Sequence, residues 1–167
     1  MKKLTILLMI LLCASFTANA QKRKKTTGKT ANPTVAANEI RDSANNVAVQ
    51  LKKVSAFVYL LGGIARGIED IDKDVKAGKL SRTIAEKNET YKQNVVASIH
   101  TLRVSLIQLE SDFRVKPKLK PYLQAIQGIT EISGVAEDQA TNGEMTNSGK
   151  TLLQVIEKLT DTLVALP

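Results

Sequence analysis

From Ile40 onward apolar residues recur alternately four and three positions apart: Ile40, Ala44, Val47, Leu51, Val54, Val58, Leu61, Ala65 and Ile68. Asp72 takes the next slot, with Ile71 beside it, and Val75 resumes the series. This alternation is a heptad seam, the pattern of a helix that buries one stripe against its neighbours. It predicts one long helix over residues 35–77, stopped by Gly78 at the C-terminal cap position. At 1.5 Å per residue such a helix is about 60 Å long.

Ser81 is suited to cap a second helix. Its apolar face comprises Ile84, Tyr91, Val95, Ile99, Leu102, Leu106, Leu109 and Phe113. It is expected to end near Val115, because Pro117 disfavours helical geometry at the residue before it. A third helix is predicted over 118–140, with Pro121 in its first turn and a face of Tyr122, Ile126, Ile129, Ile132 or Ser133, and Val135 or Ala136. The stretch "TNGEMTNSG" has loop composition. A fourth helix, 150–165, would bury Leu152, Val155, Ile156, Leu159, Leu163 and Leu166. No segment has the period-two pattern of a strand. The prediction is an all-α antiparallel bundle of four helices, a long hairpin packed by two shorter helices. Helices three and four are too short to cover the hairpin, so residues 62–95 are expected to project as a two-helix arm unless the chain folds back.

The stretch "SAFVYLLGGIARGIEDI", Ser55–Ile71, carries no charge from Ala56 to Ala65 and holds Gly62, Gly63 and Gly67. A helix-interior glycine costs about 1 kcal/mol against alanine, so three together need compensation from packing. The seam keeps its phase across them, which favours core packing on all sides over a break. Gly62, Gly63 and Gly67 are retained as candidate hinge positions, with a kink at Gly62-Gly63. The uncharged run covers about 15 Å of a bilayer core of about 30 Å, which is too short to span it.

Charge and targeting refine this picture. "MKKLTILLMILLCASFTANA" has a basic start, an apolar run and a small-residue cleavage pattern, and is expected to be a secretory signal peptide cut after Ala20. The only cysteine, Cys13, would leave with it, so the mature chain would have neither disulfide nor thiolate chemistry. Residues 21–34 are expected to form a basic disordered tail carrying Lys22, Arg23, Lys24, Lys25 and Lys29. The bundle domain is assigned to 35–167. Without Lys2, Lys3 and those five, 17 basic residues face 16 acidic ones, so the body is almost neutral. The five tail residues are the candidate contacts for an anionic surface; with no interleaved aromatic side chain, specific nucleic-acid binding is not expected.

Recognisable chemistry is sparse. Asp70, Asp72 and Asp74 alternate as in a calcium-binding loop, but Val75 and Ser81 stand where that loop needs glycine and a bidentate glutamate. His100 is the only histidine, too few for an ordinary zinc site. Asn88-Glu89-Thr90 is a formal glycosylation sequon, read as coincidence in a bacterial-type export context. No catalytic residue, metal or cofactor is assigned, and the chain is read as non-enzymatic. The expectation is an exported, periplasmic or secreted protein-binding module of inhibitor, immunity or adaptor type, not spanning a membrane once processed. Its partner is an unidentified protein, and a homodimer is compatible with the long seams. The alternative is an envelope-surface protein tethered to anionic lipid or polysaccharide through its tail.

Overall fold

The computed structural model describes residues 33–167, with side chains described from residue 38. The signal-peptide assignment and the basic-tail assignment as far as residue 32 therefore lie outside the described residues; Pro33 and Thr34, assigned to the tail, are the start of the first helix. Helices α1 (Pro33–Lys76) and α2 (Arg82–Val115) form the expected long hairpin. A 3-10 turn (Lys120–Tyr122) and the one-turn α3 (Leu123–Ile126) lead to α4 (Ile129–Thr141) and α5 (Met145–Ala165). The described residues contain no strand.

Local chemistry explains most boundaries. Gly78 has φ 70°, and the amides of Gly78 and Lys79 bond back to Val75 and Asp74, which closes α1 in a Schellman turn. Gly143, at φ 81°, closes α4 the same way, with Gly143 bonding to Ala140 and Glu144 to Gln139. Lys116 is extended before Pro117 and ends α2. Ser81 stands at the α2 cap position with extended geometry, but its side chain makes no capping bond.

Three expectations need correction. The third predicted helix is broken: Gln127 (φ −55°, ψ 134°) and Gly128 (φ 92°, ψ 0°) form the centre of a type II turn, which requires a residue such as glycine in its second position. The fourth helix starts at Met145 rather than at residue 150, because Met145 and Ser148 are fully buried and Glu69 supplies a cap from α1. Together these changes overturn the two-helix arm predicted for 62–95. The turn lets α4 start beside Glu110 and run back along α2, reaching His100 and Arg103 at Glu137. The α4–α5 loop then lies against Asp72, and Thr146 meets Glu69. The bundle thus encloses the hairpin as far as Asp72, leaving a much shorter tip beyond.

The four main helices pack in the ring order α1, α2, α4, α5, each antiparallel to its neighbours. Val47, Val54, Leu61, Ala65 and Ile68 of the α1 seam are buried. They meet Val95, Ile99, Leu106, Leu109 and Phe113 of α2 and Leu152, Val155 and Leu159 of α5 within one core. Each fully buried aliphatic side chain contributes roughly 1.5–3 kcal/mol by removal from water, and this term sets the fold.

The run from Ala56 to Ala65 is core on one face only. Leu61 and Ala65 are buried and Phe57, Val58 and Ile64 half-buried, but Leu60 is 38% and Tyr59 84% exposed. Packing on all sides, expected from its lack of charge, does not occur. Among the described helices only α1, over Asn38–Lys76, contains a stretch long and apolar enough by length and composition to cross a membrane, an 18-residue window of mean hydropathy 1.4. Its seam is occupied by the other helices of the bundle.

Candidate functional site

The two short helices begin without local caps. At α4 the cap position is Gly128, which has no side chain, and at α5 the Glu144 side chain makes no capping bond. Both helices are capped from across the bundle instead. The buried Glu110 carboxylate of α2 accepts hydrogen bonds from the amides of Gly128 (3.3 Å) and Thr130 (3.1 Å) and pairs with Arg114. Glu69 of α1 accepts from the Thr146 amide (2.7 Å) and hydroxyl (2.9 Å). Free amides and the helix dipole at an N-terminus favour a carboxylate there. Burial alone would push the Glu110 carboxyl up; the bonds from Thr130, Arg114 and the Gly128 amide outweigh it and hold it below its ordinary value. Glu110 was not singled out in the sequence, although it stands four after Leu106 and three before Phe113, within the apolar face.

A second polar cluster ties α2 to α4. Glu137 accepts from His100 Nδ1 (2.8 Å) and Arg103 (2.9 Å). Burial raises its proton affinity, and the Arg103 and His100 bonds more than reverse that, so its pKa is lowered. His100 is exposed, as its place outside the seam predicts, and acts here as a surface partner of Glu137.

The third cluster lies at the end of the four-helix zone. Asp72, half-buried in its seam slot, accepts from Asn88 (2.7 Å) and Lys92 (3.1 Å), and Lys92 also pairs with Glu89 (2.7 Å). Burial works against the charged Lys92, but Glu89 and Asp72 outweigh it and raise its pKa. Asn88 is buried, and its Nδ2, the atom a glycan would occupy, also donates to the Ile68 carbonyl at 3.0 Å. The sequon is therefore engaged inside the bundle. Asp70 pairs with Lys73 and Asp74 with Lys79, both exposed. The alternating aspartates thus do not converge. Among the described residues no group of three or more His, Cys, Asp or Glu is placed to hold a metal ion.

An open groove of about 360 Å³ with a mainly apolar lining runs between α1 and α5. Its α1 wall is Val58, Leu61, Gly62, Ala65 and Arg66, and its α5 wall is Met145, Thr146, Gly149, Lys150 and Leu153. Two glycines line it. Gly62 leaves the α1 wall bare, with nothing within 4 Å of where a Cβ would stand, and Gly149 faces Leu61, whose Cδ2 would lie in ordinary contact, 3.6 Å, with an added Cβ. Leu153 is 53% exposed, while Met145 is fully buried. Arg66 and Lys150, both exposed, give the opening a basic edge. Its α5 wall falls mostly in the stretch read from composition as a loop, so the groove was not visible in the sequence.

Of the residues singled out beforehand, Gly62, Gly63 and Gly67 lie within the uninterrupted helix α1, all exposed. Lys22, Arg23, Lys24, Lys25 and Lys29 lie outside the described residues. The chain matches no protein-family model, no curated protein and no solved structure.

Proposed function

We propose that the protein is an exported, non-enzymatic helical bundle that binds a protein partner through the α1–α5 groove. The observation that carries this reading is the groove itself. Its walls are apolar and its edge is basic through Arg66 and Lys150. Such an opening suits an apolar side chain of a partner segment flanked by acidic residues, the arrangement in which a buried anchor supplies affinity and charges at the rim supply steering. An inhibitor, immunity or adaptor role fits a surface of this kind. Export rests on the signal-like first twenty residues.

A second reading is favoured by the distribution of charge: five basic residues fall between positions 22 and 29, ahead of a nearly neutral body. They would tether the bundle to anionic lipid or polysaccharide. Capture from the native envelope, washed at low and at high salt, separates the two readings. One stoichiometric protein that survives high salt and is lost with Leu153→Glu supports the groove. Anionic material that is lost in salt, and lost when residues 21–30 are deleted, supports the tether and overturns the groove reading.

A further inference from the structure

Opposite its buried seam, α1 carries a second series with the same alternating spacing. Val49, Lys52, Ala56, Tyr59, Gly63, Arg66 and Asp70 follow one another three and four residues apart, and all are exposed. Tyr59 is 84% and Val49 46% exposed, and Leu60 beside them is 38% exposed. No described residue covers the site where a Gly63 or Gly67 side chain would stand. The face is polar in the directional sense: Lys52 and Lys53 mark one end, Asp70 and Asp74 the other. Lys52 and Asp70 are 18 residues, five helical turns, apart, so they share one azimuth about 27 Å apart along the axis.

We infer that this outer face of α1 binds a second copy of the chain, antiparallel, about a two-fold axis near Leu61. The spacing is symmetric about that point. The two-fold places Tyr59 of one copy opposite the second copy's Gly63, and Ala56 opposite Arg66. It also places Lys52 opposite Asp70 at both ends. An aromatic ring over a glycine is a close knob-into-hole fit, because the glycine offers no side chain to displace. The two Lys52–Asp70 contacts are mutually attractive, whereas a parallel arrangement sets lysine on lysine, arginine on arginine and aspartate on aspartate. Lys52 and Lys53 have no ion-pair partner among the described residues, and the Asp70–Lys73 pair is exposed and readily exchanged. An interface that matches itself in this way closes as a dimer rather than growing. The inference does not rest on the groove: Arg66 borders both surfaces, but Tyr59, Gly63, Lys52 and Asp70 do not line the groove, and a protein that is monomeric yet still captures its partner would defeat the dimer alone.

Sedimentation equilibrium of the protein as the cell produces it tests the inference, with helicity by circular dichroism as the folding control. The wild type is expected to be a reversible dimer. Lys52→Asp and Asp70→Lys are each expected to weaken it about tenfold, and the doubly exchanged Lys52→Asp/Asp70→Lys chain to recover most of the loss. Tyr59→Asp should leave a folded monomer. A wild type that stays monomeric overturns the inference, as does a dimer indifferent to the charge exchange. A monomer that releases dye from anionic vesicles, with release lost in Tyr59→Asp, would assign the face to lipid and overturn it equally.

Discussion

At the scale of single residues, the bundle depends on a few carboxylates that work across helices rather than along them. Glu110 is the clearest, because it satisfies two amides of α4 and a guanidinium from a buried position. Glu110→Ala should destabilise the fold by about 2 kcal/mol, since it leaves the Gly128 and Thr130 amides without that acceptor, while the half-exposed Arg114 can turn to water. Chemical denaturation would show this as a lower midpoint at unchanged slope. Glu69→Ala removes the part-buried cap on the Thr146 amide and should cost about 1 kcal/mol. The pH dependence follows from the directions of the shifts. Glu110 and Glu137 have folded pKa values below their ordinary 4.5. Their stabilisation is therefore fully present above that value and is lost as pH falls through the lower folded values. Lys92 is shifted up from 10.5, so its contribution is present below that value and is lost as pH rises through the higher folded one. Thermal melts across pH should show both limbs, and Glu110→Gln should flatten the acid limb selectively. Lys92→Met should flatten the alkaline one. These clusters were only partly legible. Asp72 stood out as an acid in an apolar series; Glu110 stands beside the α2 series, next to Leu109, and its partners, Gly128 and Thr130, lie 18 and 20 residues away and meet it only after the chain turns.

At the scale of elements, spacing predicted what depends on periodicity and missed what depends on tertiary capping. The α1 and α2 boundaries follow from Gly78 and Pro117, local features that act within one turn. The start of α5 at Met145 depends on Glu69, which is 77 residues from Thr146 in sequence, and composition alone made that stretch look like a loop. Glycines sort into two kinds on the same basis. Gly128 has φ 92° and belongs to a turn, so Gly128→Ala should destabilise by about 1–2 kcal/mol. Gly67 stands in helical geometry with open space around it, so Gly67→Ala should stabilise by about 1 kcal/mol. Equilibrium unfolding of the two variants checks both signs. Motion at the candidate hinge Gly62, Gly63 and Gly67 would have a different mark: partner capture would fall in Gly67→Ala even as stability rose.

At the scale of the whole molecule, the antiparallel ring was legible because two long seams and two short amphipathic helices admit few other arrangements. The extent of overlap between the hairpin and the short helices was not legible, because it is set by the Gln127–Gly128 turn and the early start of α5. That overlap creates the α1–α5 groove. The most direct test of a groove-binding function is photo-cross-linking in the cells that produce the protein and in their medium, from a reactive side chain placed at Leu153, compared with one at Val164. Leu153 lines the groove; Val164 is on the same helix, 82% exposed and eleven residues further along. The account predicts one stoichiometric protein adduct from position 153 and none from position 164. No adduct from position 153, or the same adducts from both positions, would contradict it.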